Sequence, residues 1–361
     1  MKSSFSRWNF NQDEAVNRSF QVKTNILSAF LLSACVATAG VSVASAQHLT
    51  GAGASFPNPI YSKWFSEYSA SHPGVQINYQ SVGSGAGIRQ VSEKTVDFGA
   101  SDGPMTDAQL AASKVKLYHI PTVLGAVVPV YNVPGVKAPL KFAPEVIADI
   151  YLGKITKWND PRLTKDNPGV SLPDHTILPV YRSDGSGTTY IFTDFLSKVS
   201  PDFASKIGKN TSVRWPLGIG QKGNEGVASM VRSSEYAFGY VELIYAKANN
   251  MQYGYVRNAA GKWLLASTEG VTAAAAGAAK NMPADYRVSI TNAPGADAYP
   301  ISSFTWLLIP VKSDDPAKGK VLKDFLTWML DKGEAEASSM TYAPLPASVV
   351  KMERKTIATI Q

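Results

Sequence analysis

The sequence predicts an α/β fold in two domains. Short β-branched runs alternate with segments whose apolar residues recur every three or four positions, and glycine-rich turns separate the two. The chain has 361 residues, 45% of them hydrophobic, which is enough to bury two cores. The alternation implies parallel or mixed sheets flanked by helices.

The first 46 residues differ in kind from the rest. A polar stretch with Lys2, Arg7, Arg18 and Lys23 precedes an uncharged run of small and apolar residues, Asn25 to Ala46. That pattern is an export signal, and Ala44-Ser45-Ala46 before Gln47 fits signal peptidase, so cleavage is expected after Ala46. Two alternatives are a membrane anchor and a lipoprotein. The run is nominally long enough to span, but its second half is mostly Ala, Gly, Ser, Thr and Val. Leu32-Ser33-Ala34-Cys35 fits a lipobox, although the apolar run continues past Cys35 where lipoproteins turn polar.

Removing this prefix takes away four basic residues, two acidic ones and the only cysteine. The remaining 315 residues hold 31 Lys+Arg against 26 Asp+Glu, a net charge of +5. Arg354-Lys355 is the only adjacent basic pair, so the charge reads as a solvated surface and no nucleic acid is expected. His48, His72, His119 and His175 show no paired spacing and no thiolate remains, so neither metal nor cofactor is expected.

Past the prefix, Ile60, Trp64, Phe65 and Tyr68 recur at helical spacing, and Val75 to Tyr79 alternates as a strand. Gly83-Ser84-Gly85-Ala86-Gly87 ends that strand, and a helix is expected over Ile88 to Glu93. Val96 to Ser101 reads as a buried strand, and Thr106-x-x-Gln109 as a capping box. Ile177 to Tyr181 is a strand, followed by a turn at Asp184-Gly185-Ser186-Gly187. A helix is expected over Thr188 to Val199, with Ile191, Phe192, Phe195 and Leu196 on one face. The Ala-rich stretch Thr272 to Lys280 reads as helical, and there is no internal repeat.

Four of these segments share one theme. Ser55-Phe56-Pro57, Gly83-Ser84-Gly85, Asp102-Gly103 and Asp184-Gly185-Ser186-Gly187-Thr188 put short polar side chains and bare backbone where a strand ends or a helix begins. Such turns expose N–H groups that bind oxyanions, yet each Ser or Asp is equally an ordinary N-cap. Repetition in four places favours an anion. Arg182 offers a guanidinium fork that Asp184 could orient; a surface ion pair is the plainer reading. Asp102 would repel an anion unless that anion carries a proton to donate. Hydrogen phosphate does so near neutral pH and sulfate does not, so a buried Asp102 would discriminate between them.

Thr50-Gly51-Ala52-Gly53-Ala54-Ser55-Phe56-Pro57, Thr95 to Asp102, Ile150 to Ile155, Arg182 to Thr188, Gly239-Tyr240-Val241-Glu242 and Tyr342 to Pro346 together resemble the phosphate-binding proteins of bacterial phosphate ABC importers. The resemblance covers essentially all of the chain after residue 46. It implies a two-domain periplasmic-binding-protein fold of type II, with the ligand in the interdomain cleft. Residues 47–130 plus 302–361 would form one domain and 131–301 the other, with hinge crossings near Val127–Val133 and Tyr299–Phe304. By position, Ser55, the Phe56 N–H, Ser84 and Asp102 would contact phosphate from the first domain. Arg182, Ser186, Gly187 and Thr188 would do so from the second, with Asp184 orienting Arg182. Ser55 stands where the best-known members have Thr, and Gly85 where they carry a second Ser.

The resemblance further implies a periplasmic monomer that delivers phosphate to an inner-membrane permease and catalyses nothing. The rival readings are the same fold binding another oxyanion, such as sulfate or molybdate, which would give Asp102 no proton to accept, and a secreted hydrolase, for which Ser84 and Ser186 lack a Gly-x-Ser-x-Gly elbow and a nearby His. No nucleotide-binding glycine motif is complete.

Overall fold

The computed structural model describes residues 47–361; the expected export signal and Cys35 lie outside them. The chain runs through β1 (Gln47–Gly53), α1 (Asn58–Ser71), β2 (Val75–Ser81), α2 (Ser84–Ser92), β3 (Phe98–Ser101), α3 (Asp107–Ala112) and the long β4 (Leu117–Tyr131). A middle run follows: β5 (Lys141–Phe142), α4 (Pro144–Tyr151), α5 (Pro161–Asp166), β6 (Leu178–Arg182), α6 (Gly187–Val199), α7 (Pro201–Lys206), β7 (Ile219–Gln221) and α8 (Gly223–Ser233). It continues with β8 (Ala237–Glu242), α9 (Leu243–Ala248), β9 (Gln252–Tyr253), β10 (Tyr255–Arg257), β11 (Trp263–Leu264) and α10 (Thr268–Lys280). The last run holds β12 (Ser302–Pro310), α11 (Pro316–Asp331) and α12 (Ala347–Ala358).

The main sheet is mixed, in the order β2-β1-β3-β12-β4-β8-β6-β7, with β9 also on β4. β1 pairs in parallel with β2 and β3, and β6 with β7 and β8, whereas β12 and β4 run antiparallel to their neighbours. β4 reads as a nearly unbroken apolar run because it is covered on both faces. Up to Ala126 it pairs with β12, and from Val127 it pairs with β8, so one strand carries the chain from one half of the sheet to the other. Opposite Pro121, which has no N–H to give the ladder, the register shifts between Thr305 and Trp306.

Sequence and structure differ most at α2. Gly85 and Gly87, expected in a loop before Ile88, lie in the helix, which starts at Ser84 after Gly83. Packing explains them: a Cβ on Gly87 would stand 2.5 Å from Gly53 Cα and 2.6 Å from the Ala52 carbonyl, so only a bare backbone lets α2 rest on β1. β3 starts at Phe98, two residues later than expected. The Thr106–Gln109 capping box forms, and the Ala-rich segment is helical, extended back to a cap at Ser267. Among the described residues no helix is long and apolar enough to cross a membrane.

Candidate anion-binding site

Parallel strands aim their carboxyl ends at a common edge, and the loops leaving those ends are where ligands sit in such sheets. Ser55 and Phe56 follow β1, Asp102 follows β3, Arg182 closes β6, and Ser186 to Thr188 open α6. Ser55, Ser84, Asp102, Arg182, Ser186 and Thr188 are all at most 4% exposed, which is rare for so polar a set. The structure brings every predicted residue to one place.

Hydrogen bonds decide which of the short polar side chains are caps. Ser186 is one: its Oγ accepts from Thr189 N at 3.0 Å. Ser55 and Ser84 are not. Ser84 Oγ accepts from Asp102 N at 3.3 Å and from Gly187 N at 3.0 Å. Ser55 Oγ accepts from the Asn224 backbone N at 3.1 Å and from its Nδ2 at 2.9 Å. Thr188 Oγ1 accepts from Asn224 Nδ2 at 3.0 Å and Arg182 Nη1 at 3.4 Å. A hydroxyl has two lone pairs and one hydrogen, so each of these three has its acceptor capacity filled and its O–H left to give. Phe56 anchors the first loop, with its ring in the core and its carbonyl accepting from Tyr342 OH at 2.7 Å.

Glycines let the segments meet. Gly85 N donates to the Gly185 carbonyl at 2.8 Å, and a Cβ on either residue would stand 3.0–3.1 Å from the other's Cα. The Gly85 position therefore makes a backbone contact that a side chain would crowd. Likewise a Cβ on Gly187 would lie 2.6 Å from Asp102 Cβ.

Asp102 is the acceptor in this group of donors. Its Oδ1 takes the Thr305 hydroxyl at 2.7 Å, while its Oδ2 is buried with no partner. Burial pushes its pKa up to about 7, against the Thr305 hydrogen bond, the Arg182 charge and the Ser84 hydroxyl, which all pull it down. Arg182 grips Asp184 through two bonds, Nε to Oδ1 at 2.7 Å and Nη2 to Oδ2 at 2.5 Å. Burial would raise Asp184, but this fork and the Gly223 N–H outweigh it and hold the carboxyl below its usual range. Glu242, fully buried, is driven well above the ordinary carboxylate range by desolvation. Arg182 and Asp184 cancel, so what this cluster offers an anion is mainly oriented N–H and O–H groups rather than net charge.

The sequence reading missed three contributors. Asn224 sits in Gly223-Asn224-Glu225-Gly226, another glycine-flanked helix start of the kind already singled out. Thr305 had no signal, being one of three hydroxyl residues in a buried strand whose register shift cannot be seen in advance. Tyr240 lies in the Gly239-Tyr240-Val241-Glu242 stretch; its OH accepts from Arg182 N at 3.3 Å and pairs with Thr189 Oγ1 at 2.7 Å.

A family model described as a PBP superfamily domain matches residues 38–332. A curated relative from Xylella fastidiosa (strain Temecula1), named phosphate-binding protein PstS, is 45% identical over 304 residues, covering 84% of this chain and 83% of the relative. One of the same name from Haemophilus influenzae is 45% identical over 308 residues, covering 85% and 91%. Among solved structures, a putative phosphate ABC transporter substrate-binding protein with bound phosphate from Clostridium perfringens aligns with a TM-score of 0.61 at 18% identity, covering 83% of this chain and all of that one. A phosphate-binding protein from Stenotrophomonas maltophilia aligns with a TM-score of 0.66 at 20% identity, covering 86% and 94%. At these identities the two structures speak for the fold alone.

The raised pKa of Asp102 has a stability consequence. Its folded value lies above the unfolded one near 3.8, so its contribution is fully present below that pH and is lost as pH rises to about 7. In phosphate-free buffer, Asp102→Asn should therefore lose less stability than the wild type between pH 4 and pH 8, as read by urea unfolding. Parallel losses in the two proteins would show that Asp102 titrates normally.

Proposed function

This chain belongs to the PstS-type phosphate-binding proteins of the PBP superfamily, and we propose from that premise that it captures hydrogen phosphate outside the inner membrane. It delivers the anion to the permease of a phosphate ABC importer. The observation that carries the ligand assignment is Asp102 Oδ2: a buried acceptor without a partner, set beside Arg182 and three hydroxyls that have only hydrogens left to give. An anion with one proton satisfies that arrangement; one with none leaves two bare oxygens facing each other.

In this reading Ser55, the Phe56 N–H, Ser84 and Asp102 hold phosphate from one side, and Arg182, Ser186 and Thr188 from the other, joined by the Gly187 N–H once the anion takes it over from Ser84 Oγ, its acceptor in this structure. Asp184 keeps the Arg182 fork in place. The domains are 47–130 with 302–361, and 131–301, and the pairing switch at Ala126–Val127 of β4 supports a hinge there. A ligand gripped from both sides stabilises only the closed arrangement, so binding shifts the population toward it, and the permease reads the closed shape. The protein acts as a monomer in the periplasm after removal of residues 1–46, and it turns nothing over.

Titration calorimetry at pH 8 should give binding with phosphate and none with sulfate; equal affinities would remove the proton-reading role of Asp102. Arg182→Ala should weaken phosphate binding by about 1.5–3 kcal/mol, the scale for hydrogen bonds to a charged group. A loss under ~0.5 kcal/mol would make Arg182 only a partner for Asp184. Intact mass of the exported protein should correspond to a chain starting at Gln47, whereas an acylated Cys35 would make it a lipoprotein.

A further inference from the structure

Asn224 belongs to none of the motifs that carry the family resemblance, yet it is fully buried and every polar group of its side chain is committed. Its Oδ1 accepts from Glu242 N at 3.0 Å. That bond sets the amide: the oxygen faces the strand end, so the nitrogen must face the hydroxyls. From there Nδ2 donates to Ser55 Oγ at 2.9 Å and to Thr188 Oγ1 at 3.0 Å, and the Asn224 backbone N adds a second bond to Ser55. One amide thus bridges the loop after β1 and the first turn of α6, which lie in different halves of the sheet.

The direction of these bonds matters more than their number. A serine or threonine hydroxyl can face an anion usefully only through its hydrogen, and it is free to rotate unless its lone pairs are taken. Asn224 takes both lone pairs of Ser55, and with Arg182 both of Thr188. Rotation toward Asn224 gains nothing, since it presents only donors there. We infer that Asn224 is a positioning residue for anion capture, which holds the Ser55 and Thr188 hydroxyls as donors and couples their two segments. The inference rests on the phosphate reading of the site and adds to it a residue that need not touch the ligand. Its near-isostere Asp would reverse the effect, because a carboxylate would draw both O–H groups to itself.

The test is titration calorimetry of the full exported chain with inorganic phosphate at pH 8, with thermal unfolding of each variant alongside. Asn224→Ala should weaken binding by about 10- to 100-fold, the scale of one or two buried hydrogen bonds. Asn224→Asp should weaken it further, despite the smaller change in shape. In a Ser55→Ala background, Asn224→Ala should cost clearly less than it does in the wild type, because one of the two hydroxyls it positions is gone. A merely structural Asn224 would cost the same in both backgrounds, and that result would overturn the inference, as would unchanged affinity in Asn224→Ala. Should Asn224→Asp fail to fold, the Ala cycle still decides. Failure of the wild type to bind phosphate would instead sink the phosphate reading, and this inference with it.

Discussion

Leaving a buried carboxylate oxygen without a hydrogen bond costs about 1–3 kcal/mol or more, and folded chains rarely tolerate it. Here Asp102 Oδ2 is in that position, and much of the surrounding structure is arranged around it. Thr305, beside the register shift in β12, satisfies the other oxygen. Gly187 has no side chain because Asp102 fills the space where one would be. Ser84 receives the N–H groups of both Asp102 and Gly187, which joins the two segments through one hydroxyl. On the proposed reading, the cost of that unmet acceptor is the physical basis for choosing a ligand that arrives with a proton.

Charge plays a smaller part than a phosphate site would lead one to expect. Arg182 is bound to Asp184 through both arms of its fork, and burial pushes Glu242 well above the ordinary carboxylate range. What remains to attract an anion is a set of donors held in fixed directions by their own partners. Such a site loses little to salt, because screening acts on exposed charges far more than on buried dipoles. The net charge of the whole chain is therefore a poor guide to what it binds.

The alternation of strands and helices was legible because each local period of apolar residues matched its element. The site was legible in outline, since short side chains and glycines at strand ends stand out against a core that otherwise prefers bulk. Its logic was less so. Ser55, Ser84 and Ser186 look alike in sequence, but only Ser186 caps its helix, and a side chain's hydrogen-bond partner is a tertiary fact. Gly85 and Gly87 looked like loop residues, because the packing of α2 on β1 and the Gly85–Gly185 contact both join segments far apart in the chain. Asn224 shared the signature but lay after the region that drew attention, and Thr305 depended on a strand register that no local pattern encodes.

On the proposed reading, the site accommodates one shared proton, brought by the ligand when Asp102 is ionised. Sulfate cannot bring it, but Asp102 can supply it once protonated, below about pH 7. The most direct measurement is the affinity for sulfate by calorimetry from pH 8 down to pH 5, in the wild type and in Asp102→Asn. Sulfate binding should emerge in the wild type as pH falls, and should be present and nearly independent of pH in the variant. Sulfate affinity that stays flat across that range in the wild type would contradict that reading.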